Sequence, residues 1–400
     1  KAFGDRTKHI PKNRYGEKMK NRRRFPKLFF ITYIALCLGI ILFASIHKFG
    51  FSLSAFFTTA VTIVLLGTSY YLSLACALIV HEFGHLIFGL LTGYKFAAIG
   101  FAHHLFLRRD GRMRRFVYKL PGALGFCAME VPDMKDGSFP FALYLSGGVL
   151  CNAFLALVCI FAFVSGIGSG ILFFPHAFLF PAFVNAYFAI VSILPIKTKL
   201  LNTDGKQLFD LLKHKNMRKS FWACEKISAA QYRGVKFEDI PSEWFTETDD
   251  TQSVYAASIR AVRLLALAET DEPKEVCALI EKELSENHAL SGTAKGLLTC
   301  MRIYYEAIGE RDAGTLKKLI TQTQIDFMKR MKNVPSVIQT EYAYALLVEK
   351  DVREASRIKA RLEKISKKYP FPAEIDTAKK LIARADEISK RENPNENGDM

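Results

Sequence analysis

Val80-His81-Glu82-Phe83-Gly84-His85-Leu86 places two imidazoles and a carboxylate inside an otherwise apolar stretch. On a helix, residues four apart share a face, so His81 and His85 can hold one metal ion through ring nitrogens, with Glu82 beside them. The chemistry that suits this pattern is hydrolysis. Zinc supplies a nucleophile near neutral pH and polarises a carbonyl, while Glu82 takes a proton from the activated water and passes it to a leaving amine. The setting sharpens the reading, because the chain is apolar from Phe51 to Leu91. Ionisable groups at that depth in a bilayer are costly unless paired or metal-bound. Polar side chains that merely glue helices together explain a single amide better than three groups at this spacing.

Working outward, 29–46 is a clean apolar segment of bilayer length. The stretch 51–91 is too long for one ordinary crossing and is weakly broken at Gly67-Thr68-Ser69. It reads either as two helices with a tight turn or as one long tilted helix. Segments 142–163 and 171–195 are two further spans. Between them and the motif, Tyr94 to Pro140 is polar and turn-rich, with short alternating runs that suggest strands, and Gly122 to Met129 could present a sheet edge to an extended peptide. The expected fold is therefore mainly α. It is a polytopic membrane helical bundle of about four spans (29–46, 60–91, 142–163 and 171–195), with a small re-entrant β region.

Charge is segregated along the chain. Residues 1–28 carry eleven Lys/Arg against two acids, 29–205 eleven against six, and 206–400 thirty-three against thirty-one. Basic residues thus flank the apolar spans, at the N-terminal tail and at 108–119, as membrane proteins arrange them on the cytoplasmic side. An even number of crossings must then separate the two basic segments, which favours two. Nucleic-acid binding is not expected, since the charges abut apolar spans and no nucleic-acid module pattern is present. The eight cysteines show no CxxC spacing and read as small hydrophobes rather than disulfides or zinc ligands.

Beyond residue 205 the character changes. Residues 206–250 read as a linker, 251–390 as amphipathic helical hairpins resembling tetratricopeptide repeats in a soluble domain, and 391–400 as a disordered tail. Glu341–Lys350 and Asp351–Lys367 form the clearest pair, packing through Ala343, Leu346, Leu347, Ala355, Ile358 and Leu362. This near-neutral region suits a protein partner better than lipid.

His81-Glu82-Phe83-Gly84-His85 with Thr92-Gly93-Tyr94 beyond it resembles the first core helix of the M50, or site-2 protease, family. Gly148-Val149-Leu150-Cys151-Asn152 is similar to that family's GPxxN signature, with Val149 in the proline's place. Ser192-Ile193-Leu194-Pro195 and Asn202-Thr203-Asp204-Gly205 resemble its NxxP…DG segment, although Ser192 replaces an asparagine and Asp204 follows Pro195 by nine positions where five is usual. The resemblance implies an intramembrane zinc endopeptidase with Glu82 as catalytic residue. His81, His85 and Asp204 would be the metal ligands, with Asn152 on the substrate backbone. A catalytic zinc keeps three protein ligands, and Asp210 is the reserve for the third. The implied substrate is a membrane-spanning or membrane-associated peptide, such as an anti-sigma factor, signal peptide or peptide precursor. The implied location is a bacterial cell membrane, multi-pass, with the N-terminus and the C-terminal domain cytoplasmic. The competing reading is a catalytically inactive membrane receptor or assembly factor acting through its helical domain, which the irregular Asp204 spacing favours. Asn185 reads as helix glue, and His103 and His104 as surface residues.

Overall fold

The computed structural model describes residues 53–118, 124–166, 176–197, 202–245, 253–267, 273–286 and 289–392. The expected span 29–46, the tail 1–28 and residues 393–400 of the tail expected at 391–400 lie outside the described residues, while 391 and 392 end a helix. Three helices carry the apolar sequence: α1 (Leu53–Leu91), α2 (Phe141–Gly166) and α3 (His176–Ile193). The 39 residues of α1 form one continuous helix, so no turn interrupts it at Gly67-Thr68-Ser69. Thr68 Oγ1 donates to Val64 O at 2.8 Å and Ser73 Oγ to Ser69 O at 2.7 Å, which satisfies these hydroxyls inside the helix. Among the described residues two helical stretches, Val64–Leu91 and Phe141–Gly166, are long and apolar enough to cross a membrane, and Phe178–Ile193 is a shorter apolar helix. Their large side chains mostly face outward; Leu91 is 75% and Phe161 74% exposed. A soluble core helix would bury such residues, whereas a lipid-facing one presents them.

Contacts divide the chain into two units. In the first, Tyr70 meets Phe180 edge-on at 6.0 Å. Asn185 Nδ2 donates to Pro181 O at 2.8 Å, so the amide expected to join neighbouring helices bonds within its own helix.

The second unit holds the candidate site. It includes an antiparallel sheet of β1 (Lys95–Phe101), β2 (His104–Arg109), β3 (Arg112–Val117) and β4 (Gly125–Glu130) in the order β3-β2-β1-β4. Asp110 and Gly111, both at positive φ, make the tight β2–β3 turn. One sheet face meets α1, where Phe101 stacks on Phe83 at 6.1 Å and the missing Cβ of Gly89 leaves room for the Met129 thioether. The opposite face buries Ala98, Leu105 and Leu107.

Two helices follow, α4 (Asp204–Lys213) and α5 (Asn216–Arg233). They correct the reading of 206–250 as a linker. Frequent Lys and Arg masked an apolar stripe in which Ala223, Ile227 and Ala230 recur at helical spacing and are buried. Trp222 Nε1 donates to Pro132 O at 2.8 Å and Lys226 Nζ to Asp133 Oδ1 at 2.7 Å, tying α5 to the segment after β4.

Helices α6 (Val254–Leu267), α7 (Pro273–Glu286), α8 (Gly292–Ile308), α9 (Ala313–Leu319), α10 (Gln322–Arg330), α11 (Pro335–Ala343), α12 (Val352–Ser366) and α13 (Pro372–Glu392) complete the chain, with a π-helical turn at Tyr344–Val348. Ala343, Leu346, Leu347, Ala355, Ile358 and Leu362 are all buried in their common core. Helix lengths run from 7 residues in α9 to 21 in α13, too uneven to establish a tetratricopeptide-like repeat.

In this unit α1 and α2 pack backbone to backbone. A Cβ on Gly84 would fall on the Gly147 carbonyl, and one on Gly147 would fall on the Gly84 carbonyl. Both obstacles are backbone, so neither can swing aside. Gly84→Ala is therefore expected to force the helices apart at a cost of about 1–3 kcal/mol. Thermal unfolding of the detergent-solubilised protein should show a lower midpoint, and an unchanged midpoint would contradict this packing.

Candidate active site

His81, Glu82 and His85 stand on α1 and are all buried. The imidazole rings lie edge-on with centroids 4.9 Å apart, and their Nε2 atoms are 3.3 Å apart. Asp204, the first residue of α4, closes the group: its Oδ2 is 3.0 Å from His81 Nε2 and 3.5 Å from His85 Nε2. Three donors at tetrahedral angles and about 2.0–2.2 Å from a zinc ion stand roughly 3.3 Å from one another. The observed separations of 3.0–3.5 Å match that spacing. Burial alone would raise the Asp204 carboxyl, but hydrogen bonds from His81 and His85 prevail and hold it below the usual carboxylate range. It is thus an anion, the form a metal ligand requires.

Tyr144 on α2 orients the second histidine. Its carbonyl accepts from His85 Nδ1 at 2.8 Å, so that in the neutral ring the Nε2 lone pair is the one available to a metal ion. Gly148, one turn further along α2, makes room for the first histidine, since a Cβ there would lie 2.6 Å from the His81 ring. Asn152 is one turn beyond Gly148 on the same helical face and is fully buried. Tyr144, Gly148 and Asn152 thus recur every four residues along one helical face, a spacing legible in the sequence. The role of Tyr144 was missed because its carbonyl, not its side chain, does the orienting.

The displaced spacing of Asp204 has a local explanation. Thr203 N donates to Ile196 O at 3.3 Å, and Ile196 N donates to Thr203 Oγ1 at 3.1 Å. Thr203 Oγ1 also donates to Leu194 O at 2.6 Å and, as the N-cap of α4, accepts from Lys206 N at 3.3 Å. The extra residues are therefore bridged at their base, and Asp204 returns to the end of α3. Gly205 completes the approach, because a Cβ there would collide with the Ile193 carbonyl. Asp210 lies outside this cluster and is ion-paired with Lys206. His103 is exposed in the β1–β2 turn, and His104 receives Arg115 Nη2 at 3.2 Å.

The sheet enters the site through Gly125 at the start of β4. A Cβ on Gly125 would lie 2.8 Å from Glu82 Oε1 and 2.9 Å from Leu78 Cδ1, so the edge strand passes directly over the glutamate. Leu124 O accepts from Ala102 N at 2.7 Å, while Cys127 O accepts from the Tyr144 hydroxyl at 3.1 Å. Alternation along a strand then turns the N–H and C=O groups of Gly125 and Cys127 away from β1, toward the open edge. On α5, burial pushes the Glu225 carboxyl up to about 7, against the nearby charge of His85.

Two histidines and an aspartate converging on one point, with a glutamate at the next helical position, are the donor set of HExxH-type zinc hydrolases. The chain belongs to peptidase family M50, whose sequence model matches residues 69–347, from within α1 to the π-helical turn. That family comprises zinc metallopeptidases of membranes, in keeping with the two apolar helices found here. No curated protein and no solved structure matches the chain.

The cluster separates the two candidate aspartates experimentally. Asp204→Ala should reduce bound zinc from about one equivalent to a small fraction, since two histidines alone hold zinc weakly. Asp210→Ala should leave zinc content unchanged. Metal analysis of the purified variants reads both, and equal zinc in Asp204→Ala and wild type would remove Asp204 from the site.

Proposed function

We propose that this protein is an intramembrane zinc endopeptidase that cleaves a membrane-spanning or membrane-associated peptide. The observation that carries the reading is the convergence of His81 Nε2, His85 Nε2 and Asp204 Oδ2 within 3.0–3.5 Å, inside a helix apolar enough to cross a bilayer. His81, His85 and Asp204 would hold the ion. When bound, zinc supplies a water acidified toward neutral pH and polarises the scissile carbonyl. Glu82 accepts the proton from that water and returns it to the leaving amine. Its burial among apolar side chains keeps bulk water from competing for that proton.

Binding is assigned to β4. An extended peptide adds to the open edge through the outward groups of Gly125 and the outward N–H of Cys127, the Cys127 carbonyl being already engaged by Tyr144. A helical substrate segment must unwind to pair in this way, which also exposes its peptide bond. Asn152, expected to contact the substrate backbone, is fully buried and takes no part in this scheme. The distribution of basic residues supports placing residues 1–28 and the helical region 253–392 on the cytoplasmic side. Asp204 meets both histidines despite its shifted spacing, so the feature that favoured an inactive receptor no longer does so.

Glu82→Gln tests the chemistry. Co-expressed with candidate single-span peptides, the variant should retain zinc while cleavage falls by roughly 10²–10⁴-fold. Equal processing by variant and wild type would sink the assignment.

The edge strand is tested separately. Cys127→Pro removes an outward N–H without touching the β1 ladder. Cleavage should drop at least about tenfold, the worth of one or more lost hydrogen bonds, with zinc retained and Cys127→Ala near wild type. Undiminished cleavage by the proline variant would rule out strand pairing here.

A further inference from the structure

The face of β4 turned away from the catalytic helix is covered by aromatic side chains from distant parts of the chain. Phe126 lies over Gly100, whose missing Cβ leaves space for the ring. Tyr232, near the end of α5, stacks on Phe126 with centroids 5.6 Å apart and planes 24° apart. Phe371 packs on Tyr232 at 5.6 Å and meets Tyr118 edge-on at 5.7 Å. Tyr369 closes the cluster, 5.6 Å from Tyr118 and 5.8 Å from Phe371.

Phe371 belongs to the connection between α12 and α13, the last hairpin of the helical region. That connection is pinned at two further points. Arg109 Nη2, at the end of β2, donates to Pro370 O at 2.8 Å, and Tyr369 donates its hydroxyl to Glu374 Oε2 at 2.8 Å. Residues about 250 positions apart in sequence therefore meet on the sheet.

β4 needs such support. Among the described residues it has a neighbouring strand on one side only, its outer edge being met by the single hydroxyl of Tyr144 at Cys127 O. It also starts at a glycine, which loses more conformational freedom on ordering than any other residue. An edge strand of this kind is held by what packs on its faces. On one face Gly125 touches Glu82, and on the other Phe126 touches Tyr232.

We infer that Phe371 is a positioning residue for proteolysis: packed on Tyr232 and through it on Phe126, it holds β4 against Glu82 in the register at which an extended substrate pairs. The inference rests on the protease reading for its consequence, but not for the mechanical coupling itself. It gives the helical region a specific task, the ordering of a strand in the membrane domain, acting through packed side chains and not on the reacting atoms.

The test uses the full chain in detergent or lipid nanodiscs, with zinc content measured for each sample. Phe371→Ala should raise amide hydrogen exchange across 125–130 tenfold or more while exchange in 78–91 and zinc content stay at wild-type levels. KM for a cleaved peptide should rise several-fold, with a smaller change in kcat, and Phe371→Tyr should restore both exchange and KM. Wild-type exchange over β4 in Phe371→Ala overturns the coupling whatever the activity. A general rise in exchange throughout the second unit also overturns it, because Phe371 would then be an ordinary stabilising residue. Should Phe371→Ala fail to fold, Arg109→Gln, which releases the Pro370 carbonyl without opening the cluster, must loosen β4 in the same direction. If β4 loosens in Phe371→Ala but no peptide is cleaved even by wild type, the coupling stands and the protease reading falls.

Discussion

The site depends on a contact in which no side chain takes part. Gly84 and Gly147 let the backbones of α1 and α2 approach until each would clash with any substituent on the other. Only at that separation does the Tyr144 carbonyl reach His85 Nδ1, and only there does Gly148 lie under the His81 ring. Small residues at a helix crossing are how apolar helices gain contact in lipid, where no hydrophobic force presses them together. Here the same device serves chemistry, because the crossing fixes both imidazoles from one neighbouring helix. Widening it by a methyl group would change the orientation of both rings together.

Around this crossing, single groups carry more than one task. Tyr144 holds a histidine with its carbonyl and the edge strand with its hydroxyl. Gly125 ends the sheet and leaves room for Glu82. Thr203 caps α4 and also bonds back to Leu194 and Ile196, so the aspartate is delivered at the start of a helix whose first turn favours negative charge.

The sheet links the apolar helices to the rest of the second unit. One face rests on α1 through Phe101 and Met129, and the other is covered by α5 and the α12–α13 connection. A small sheet is stabilised through its packed apolar faces, and coverage on both of them gives this one a fixed position. That fixed position is what the proposed pairing of a peptide with the edge requires, since misplacement of about 1 Å costs rate heavily.

The sequence by itself determined the pieces whose logic is local. Four-residue spacing put His81 and His85 on one face, apolar length marked α1 and α2, and alternation marked short runs that fall in β3 and β4. Helical periodicity likewise gave the core residues from Ala343 to Leu362, at the end of α11, in the π-helical turn and in α12. What only the tertiary structure decided were matters of distance between segments remote in the chain. These are the choice of Asp204 over Asp210, the seating of Gly125 on Glu82, the orienting carbonyl of Tyr144, and the packing of Phe371 against the sheet. A backbone carbonyl has the same composition at every position, and a ring–ring contact across hundreds of residues leaves no period to read. Helix α5 was misjudged for a related reason: its charged positions dominate the composition, and its apolar stripe has meaning only once a sheet exists for it to cover.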